Sequence, residues 1–308
     1  LDQGNRLDWL NSGLIWGLLI AGTLLVAAFF LHEVRTPHPA VDFKVLFAAP
    51  LPRLLVMVAF LRLTILSTAF VIPQFLQVVR GFRAIEVGET LVWIAAPQFI
   101  LCLMAGYILR RVDARLVASF GFMFICAACL MVAHTLTPVW GSDQFLPSQL
   151  LQAVGQSFAL SGTIFFGILH LRPQDALTFA SALQVSRLMG GEIGTAFVAT
   201  FVRKRTQIAS NLLGQHLQVG DPDVVRRIQQ YAGATARAGD TINSATRGES
   251  VLNSVVRATA TTQAIIDSFV VVAAATALVL IIIVTRRAAP PHPAGHMPIF
   301  SPPPKAPS

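Results

Sequence analysis

The chain has 308 residues and a net charge of +8; 54% of it is hydrophobic and only 12% is charged, with a mean hydropathy of +0.65. An ordinary soluble domain carries about 25% charged residues, so the composition argues against a soluble enzyme. The basic residues are scattered among connecting segments and build no basic face, which argues against a nucleic-acid partner and for charges that orient membrane helices.

The elements follow in chain order. A polar opening, Asp2-Gln3-Gly4-Asn5-Arg6-Leu7-Asp8-Trp9, reads as a loop entered from a preceding helix, and predicts that the chain is the C-terminal part of something larger. Seven apolar stretches come next: Leu14–Leu31, Leu54–Gln77, Thr90–Leu109, Leu116–His134, Gln149–Leu169, Phe179–Val202 and Ala264–Thr285. Each is close to the ~20 residues that a helix needs to cross a bilayer. Continuous apolar runs of that length mean helices, because a helix satisfies its own backbone in lipid. The expected fold is an all-α polytopic membrane protein with seven transmembrane helices.

The connections carry the orientation signal. Arg35, Lys44, Arg53, Arg110, Arg111, Arg115, Arg172, Arg286, Arg287 and Lys305 fall on one side, against Arg6, Arg80 and Arg83 in the short segments of the other. The excess of basic residues marks the cytoplasmic side, so the C-terminus is expected there; Arg203-Lys204-Arg205 opposes this reading. Residues 36–53 suggest an amphipathic element on the cytoplasmic surface. Residues 203–263 read as a long outward loop with helix-like pieces such as Val224–Tyr231. Residues 288–308 are a Pro-rich tail without the means to build a core.

Few groups inside the spans can carry chemistry. Polar residues at membrane depth are costly and are expected to face a partner or a water-filled cavity. Here these are Arg62, Arg187 and Glu192, with Gln98, Gln152, Gln156 and Gln184. Arg62, Arg187, Glu192, Gln98, Gln156 and Gln184 are the candidates for a substrate or proton pathway. Arg187 and Glu192 are five positions apart, about 140° round a helix, so they are poor partners for each other. A desolvated Glu192 facing a cavity could exchange a proton or attract a cationic substrate; the competing expectation is a structural pair with Arg62 or another arginine. Gly190, Gly191 and Gly194 offer a small face for close helix contact. Pro73 and Pro97 are expected to mark bends. Asp267 reads as an interfacial residue and His170 as a helix-boundary residue. Cys102, Cys126 and Cys129 read as small packing residues. No metal-ligand set, nucleophile–base pair or phosphate-binding loop is legible, so no cofactor or metal is expected.

One loop carries a pattern. Gly106-Tyr107-Ile108-Leu109-Arg110-Arg111-Val112-Asp113-Ala114-Arg115 places a glycine near a helix end, three arginines that can meet a helix carbonyl end, and Asp113 as a cap for the next helix. Gly106, Arg110, Arg111, Asp113 and Arg115 resemble the cytoplasmic loop motif of the major facilitator superfamily. Four further stretches resemble the fourteen-span drug:proton antiporters of the EmrB/QacA type. They are the opening Asp2-to-Trp9 loop, Val41-Asp42-Phe43-Lys44-Val45-Leu46-Phe47, Ile72-Pro73-Gln74-Phe75-Leu76-Gln77, and Ser186-Arg187-Leu188-Met189-Gly190-Gly191-Glu192-Ile193-Gly194. The resemblance covers residues 1–285 in order. Two positions depart from it: Leu109 replaces a usual acid of the loop motif, and Glu192 replaces a usual serine.

The resemblance implies an organisation. Residues 1–35 would be an outer loop and linker helix, 36–53 the cytoplasmic linker, and 54–202 five helices of the C-terminal bundle. Residues 203–263 would be an outer loop, 264–287 the last helix and 288–308 the cytoplasmic tail. It further implies a bacterial inner-membrane exporter of lipophilic compounds, driven by protons and working by alternating access with an N-terminal half that carries most of the coupling machinery. A periplasmic adaptor would meet the 203–263 loop. The alternative left by the residues alone is a stand-alone seven-helix receptor or an accessory subunit of a transport complex. A retinal pump is excluded by the lack of lysine in Ala264–Thr285.

Overall fold

Seven long helices make up the described part of the computed structural model, which covers residues 12–36, 46–47, 51–169, 176–215 and 244–285. They are α1 (Gly13–Arg35), α2 (Leu51–Val78), α3 (Ala84–Ile108), α4 (Ala114–Thr135), α5 (Ser142–Leu169), α6 (Ala176–Gln215) and α7 (Ser244–Val284). The expectations for the opening loop, most of the 36–53 linker, His170, Val224–Tyr231 and the Pro-rich tail lie outside the described residues.

The chain is an all-α polytopic membrane protein. α1 to α5 and residues Ser250–Val284 of α7 are long and apolar enough to cross a bilayer. The expected span Phe179–Val202 is helical but is not among them: Gln184, Arg187 and Glu192 interrupt its apolar run. α1 stands apart, with its apolar length exposed on every side, as a lipid-facing helix would be.

Local chemistry sets several helix ends. Gly81, at φ 70°, closes the turn after α2. This left-handed conformation suits glycine, and it lets the Phe82 N–H donate to the Leu76 carbonyl at 3.0 Å. Glu86 reaches back to accept from the Arg83 N–H at 2.8 Å, which opens α3 earlier than the apolar pattern alone suggests. α4 starts at Asp113, whose Oδ1 accepts from the Arg115 N–H at 3.0 Å, satisfying one of the free donors of a helix start.

Packing between spans uses small residues, because lipid tails are as apolar as leucine and only close contact rewards association. α4 and α5 run antiparallel. A Cβ on Gly121 would overlap the backbone of Ala159; one on Gly155 would lie 2.8 Å from the Ile125 nitrogen, and one on Gly162 2.6 Å from the Ala118 nitrogen. α2 and α6 run parallel. A Cβ on Gly190 would strike the Ala59 backbone, and one on Gly194 would lie 2.7 Å from the Leu63 Cα. α7 packs on α2, α4 and α6, and α3 packs on the outer side of α5. A continuous core forms around Leu61, Phe75, Phe122, Ile125, Phe145, Ile265 and Phe269.

The long polar segment after Val202 differs from its sequence reading. α6 continues to Gln215 and α7 starts at Ser244, so both flanks of the expected 203–263 loop are helical. The first part of the α6 extension packs on the start of the apolar part of α7. Arg205 meets Asp267 in an ion pair at 2.6 Å, and Ala260, Thr261 and Thr262 are buried at the start of the apolar part of α7.

Candidate substrate pathway within the membrane spans

α5 carries a polar stripe through an otherwise apolar helix. Gln149, Gln152 and Gln156 recur at three and four residues, so they share one face, and all three are buried. Their amides form a relay across three helices. Gln98 Nε2 of α3 donates to Gln156 Oε1 at 2.8 Å. Gln156 Nε2 donates to Gln152 Oε1 at 3.1 Å. Gln152 Nε2 then reaches the Cys129 sulfur of α4 at 3.6 Å. Pro97, immediately before Gln98, has no N–H to offer the preceding turn, so the break in the α3 ladder lies beside the relay. Gln149, one turn away from Gln152, is buried with neither amide atom hydrogen-bonded.

Two of these glutamines, Gln98 and Gln156, were singled out by sequence as pathway candidates, and they touch. Gln149 was read only as the first residue of a span. Its spacing from Gln152 and Gln156 is the signal that would have found it.

The α6 candidates divide between two faces. Gln184 and Glu192 lie on the exposed side, beside the exposed Leu188, Met189 and Ile193. Glu192 makes no hydrogen bond or ion pair among the described residues, so the structural pair with Arg62 or another arginine is not formed there. Arg187 lies instead on the stripe of Gly190, Gly191 and Gly194, against α2, where Arg62 also lies. The structure therefore separates the acid from the two arginines. α3 has a similarly uncovered side: Trp93, Phe99, Ile100, Leu103 and Met104 are all exposed.

The loop residues occupy the end of the bundle. Arg115 Nη2 donates to the Ile283 carbonyl at 2.9 Å, joining the first turn of α4 to the last turn of α7. A cation at a helix carbonyl end is favoured by the local dipole. Arg111 lies over the Tyr107 ring, 5.1 Å from its centre. Arg110 is exposed. Gly106 is open: a Cβ there would meet nothing within 4 Å, so no close backbone approach forms at this glycine among the described residues. Arg115→Ala should cost roughly 1–2 kcal/mol, in the range for a charge-assisted hydrogen bond that is partly solvated. Hydrogen exchange at Ile281–Thr285 should speed up in the variant. Unchanged exchange there would mean that the contact does not hold the end of α7.

With the polar relay, the uncovered faces and the loop residues placed, comparison with known proteins finds several similar chains. The chain is 27% identical over 205 residues, 65% of its length, to "Drug efflux pump JefA" of Mycobacterium tuberculosis. It is 23% identical over 236 residues, 76% of its length, to "Multidrug export protein EmrB" of Escherichia coli. The chain is similar to EmrB-type major facilitator drug transporters. It is also 24% identical over 211 residues, 68% of its length, to "Probable multidrug resistance protein EmrY" of Escherichia coli. The matches cover 39%, 46% and 41% of these three relatives, so the chain spans less than half the length of the major facilitator proteins it resembles. No protein-family model matches it.

Proposed function

We propose that this chain forms the C-terminal bundle, with one preceding linker helix, of a proton-coupled exporter of lipophilic compounds in a bacterial inner membrane. The observation that carries the reading is the placement of polar groups: a buried relay from Gln98 to Cys129, an uncovered face on α3, and an uncovered face on α6 that holds Gln184 and Glu192. A second bundle laid against those faces would enclose a cavity with apolar walls and a few polar groups. Such a cavity suits a lipophilic substrate held at the midplane and passed across by rocking of the two bundles. The relatives named as drug exporters support the same reading.

Within it, the loop that ends with Arg115 lies on the cytoplasmic side with the C-terminus, and the extended ends of α6 and α7 face outward. Those extensions are the surface offered to an adaptor protein. Glu192 faces the cavity and attracts a cationic substrate or carries a proton. The chain performs transport rather than catalysis.

The test is export at native expression. Deleting the gene that encodes the chain should raise cell accumulation of a fluorescent lipophilic cation, and collapsing the proton gradient should abolish the difference between strains. Equal accumulation in both strains would count against the reading. In the restored strain, Glu192→Gln should lower cation export several-fold with the protein level unchanged. Export equal to that of the unaltered protein would remove Glu192 from the pathway.

A further inference from the structure

Gln149 stands where the α5 stripe meets both α2 and α4. Phe145, one turn away on the same face, touches Phe75 of α2, with ring centres 5.7 Å apart. Gln152, one turn the other way, reaches Cys129 of α4. Further contacts set the levels. Gly155 packs on Ile125 and Gly162 on Ala118 across the α4–α5 seam, and Gly167 packs on Leu54 across the α2–α5 seam. Both seams are antiparallel, so Gln149 lies level with Val132 of α4 and with Val71 and Ile72 of α2. All three are buried, and their side chains offer an amide nothing. Gln149 itself is 0% exposed, and neither its Nε2 nor its Oε1 has a hydrogen-bond partner among the described residues. Two polar side chains border this level. Thr68 lies seven residues before Phe75 and so on the α5 side of α2; its hydroxyl donates to the Thr64 and Ile65 carbonyls of its own helix. Gln152 keeps one amide hydrogen and one oxygen lone pair beyond its contacts with Cys129 and Gln156.

A buried amide with both atoms unmet is strongly disfavoured. The group that satisfies it must donate to Oε1 and accept from Nε2 together. A metal cation would suit the oxygen and repel the amide hydrogens; an anion would do the reverse. The group must also be small, because the seam is closed on every side of Gln149. Water meets all of these conditions. We propose that Gln149 holds an internal water, hydrogen-bonded to both atoms of its own amide and to the spare capacity of Gln152. Buried waters make about three hydrogen bonds, the number that these two glutamines supply. The relay then runs from Gln98 through Gln156 and Gln152 to Gln149, roughly 10 Å along seven residues of α5, and ends in a hydrated seat between α2, α4 and α5. This inference does not rest on the exporter reading.

Water-edited solid-state NMR of the full-length natural protein in liposomes, with 15N in the glutamine side-chain amides, tests this without requiring transport. The signal missing from Gln149→Met identifies the Gln149 amide. That amide should receive magnetisation from water although it is fully buried, as the exposed Gln144 amide does at the start of α5. It should still do so in Thr68→Val, which removes the hydroxyl that borders the seat. A Gln149 amide that receives nothing while Gln144 does would overturn the proposal. Transfer lost in Thr68→Val would make the threonine hydroxyl the source and overturn it equally. A structure of the unaltered full-length protein in lipid nanodiscs, at a resolution that shows ordered waters, gives a reading that needs no variant to fold. Density for a water about 2.7–3.2 Å from both Gln149 amide atoms is expected. A protein atom in that place, or both amide atoms packed against carbon with no water density, would sink the idea.

Discussion

Gly190→Leu should severely damage the bundle, lowering stability by about 3 kcal/mol or more. The first atom of any side chain at this position would overlap the carbonyl oxygen and Cα of Ala59, which are backbone and cannot rotate aside. α2 and α6 would have to part along their whole contact. Two internal controls sharpen the expectation. A Cβ at Gly191 meets the end of the Leu66 side chain, which can swing away, so Gly191→Ala should be mild. A Cβ at Gly106 meets nothing, so Gly106→Ala should change stability by less than about 0.5 kcal/mol or improve it through helix propensity. Denaturant-induced unfolding in detergent micelles would rank the three. A Gly190→Leu protein that unfolds with the unaltered one would show that α2 and α6 do not depend on this contact.

Gln156→Leu should cost about 2 kcal/mol and depress export. Gln156 sits in the middle of the relay, accepting from Gln98 and donating to Gln152. Leucine of similar bulk would strand an amide donor on α3 and an amide oxygen on α5. Polar contacts between membrane helices are worth about 0.6 kcal/mol on average and up to about 1.7, and stranded buried groups add their own desolvation penalty. Gln184→Leu provides the comparison. It lies on the exposed side of α6, so its loss should move the melting temperature little while still altering the exposed face. If Gln156→Leu melts as the unaltered protein does, the three amides are each satisfied by other means and the relay has no structural weight.

The spans were legible because hydropathy is local: a run such as Leu116–His134 announces a helix whatever it packs against, and α4 spans Ala114–Thr135. Helix ends were less so. The start of α5 at Ser142 and the polar reaches of α6 and α7 carry no hydropathy signal. The candidate site was half legible. Residue types alone drew attention to Gln98, Gln156, Arg62 and Arg187. Which of them touch depends on helix rotation and on the register that Gly190 and Gly194 impose between α2 and α6, and no single-helix pattern encodes that. That Glu192 faces elsewhere was legible: five positions from Arg187 put it about 140° round the helix.

The α6–α7 pair has a mechanical consequence. Residues Ala176–Gln215 form one unbroken helix of 40 residues, roughly 60 Å long at ~1.5 Å per residue, twice the ~30 Å of a bilayer's hydrocarbon core. It is clamped to its neighbour at Arg205–Asp267, with most of its length on the bundle side of the clamp and a short free end beyond it. A tilt of about 10° at the midplane would carry the tip of such a ~60 Å helix sideways by roughly 5–10 Å. Motion too small to see among the packed side chains would thus be broadcast, amplified, to whatever rests on the far end.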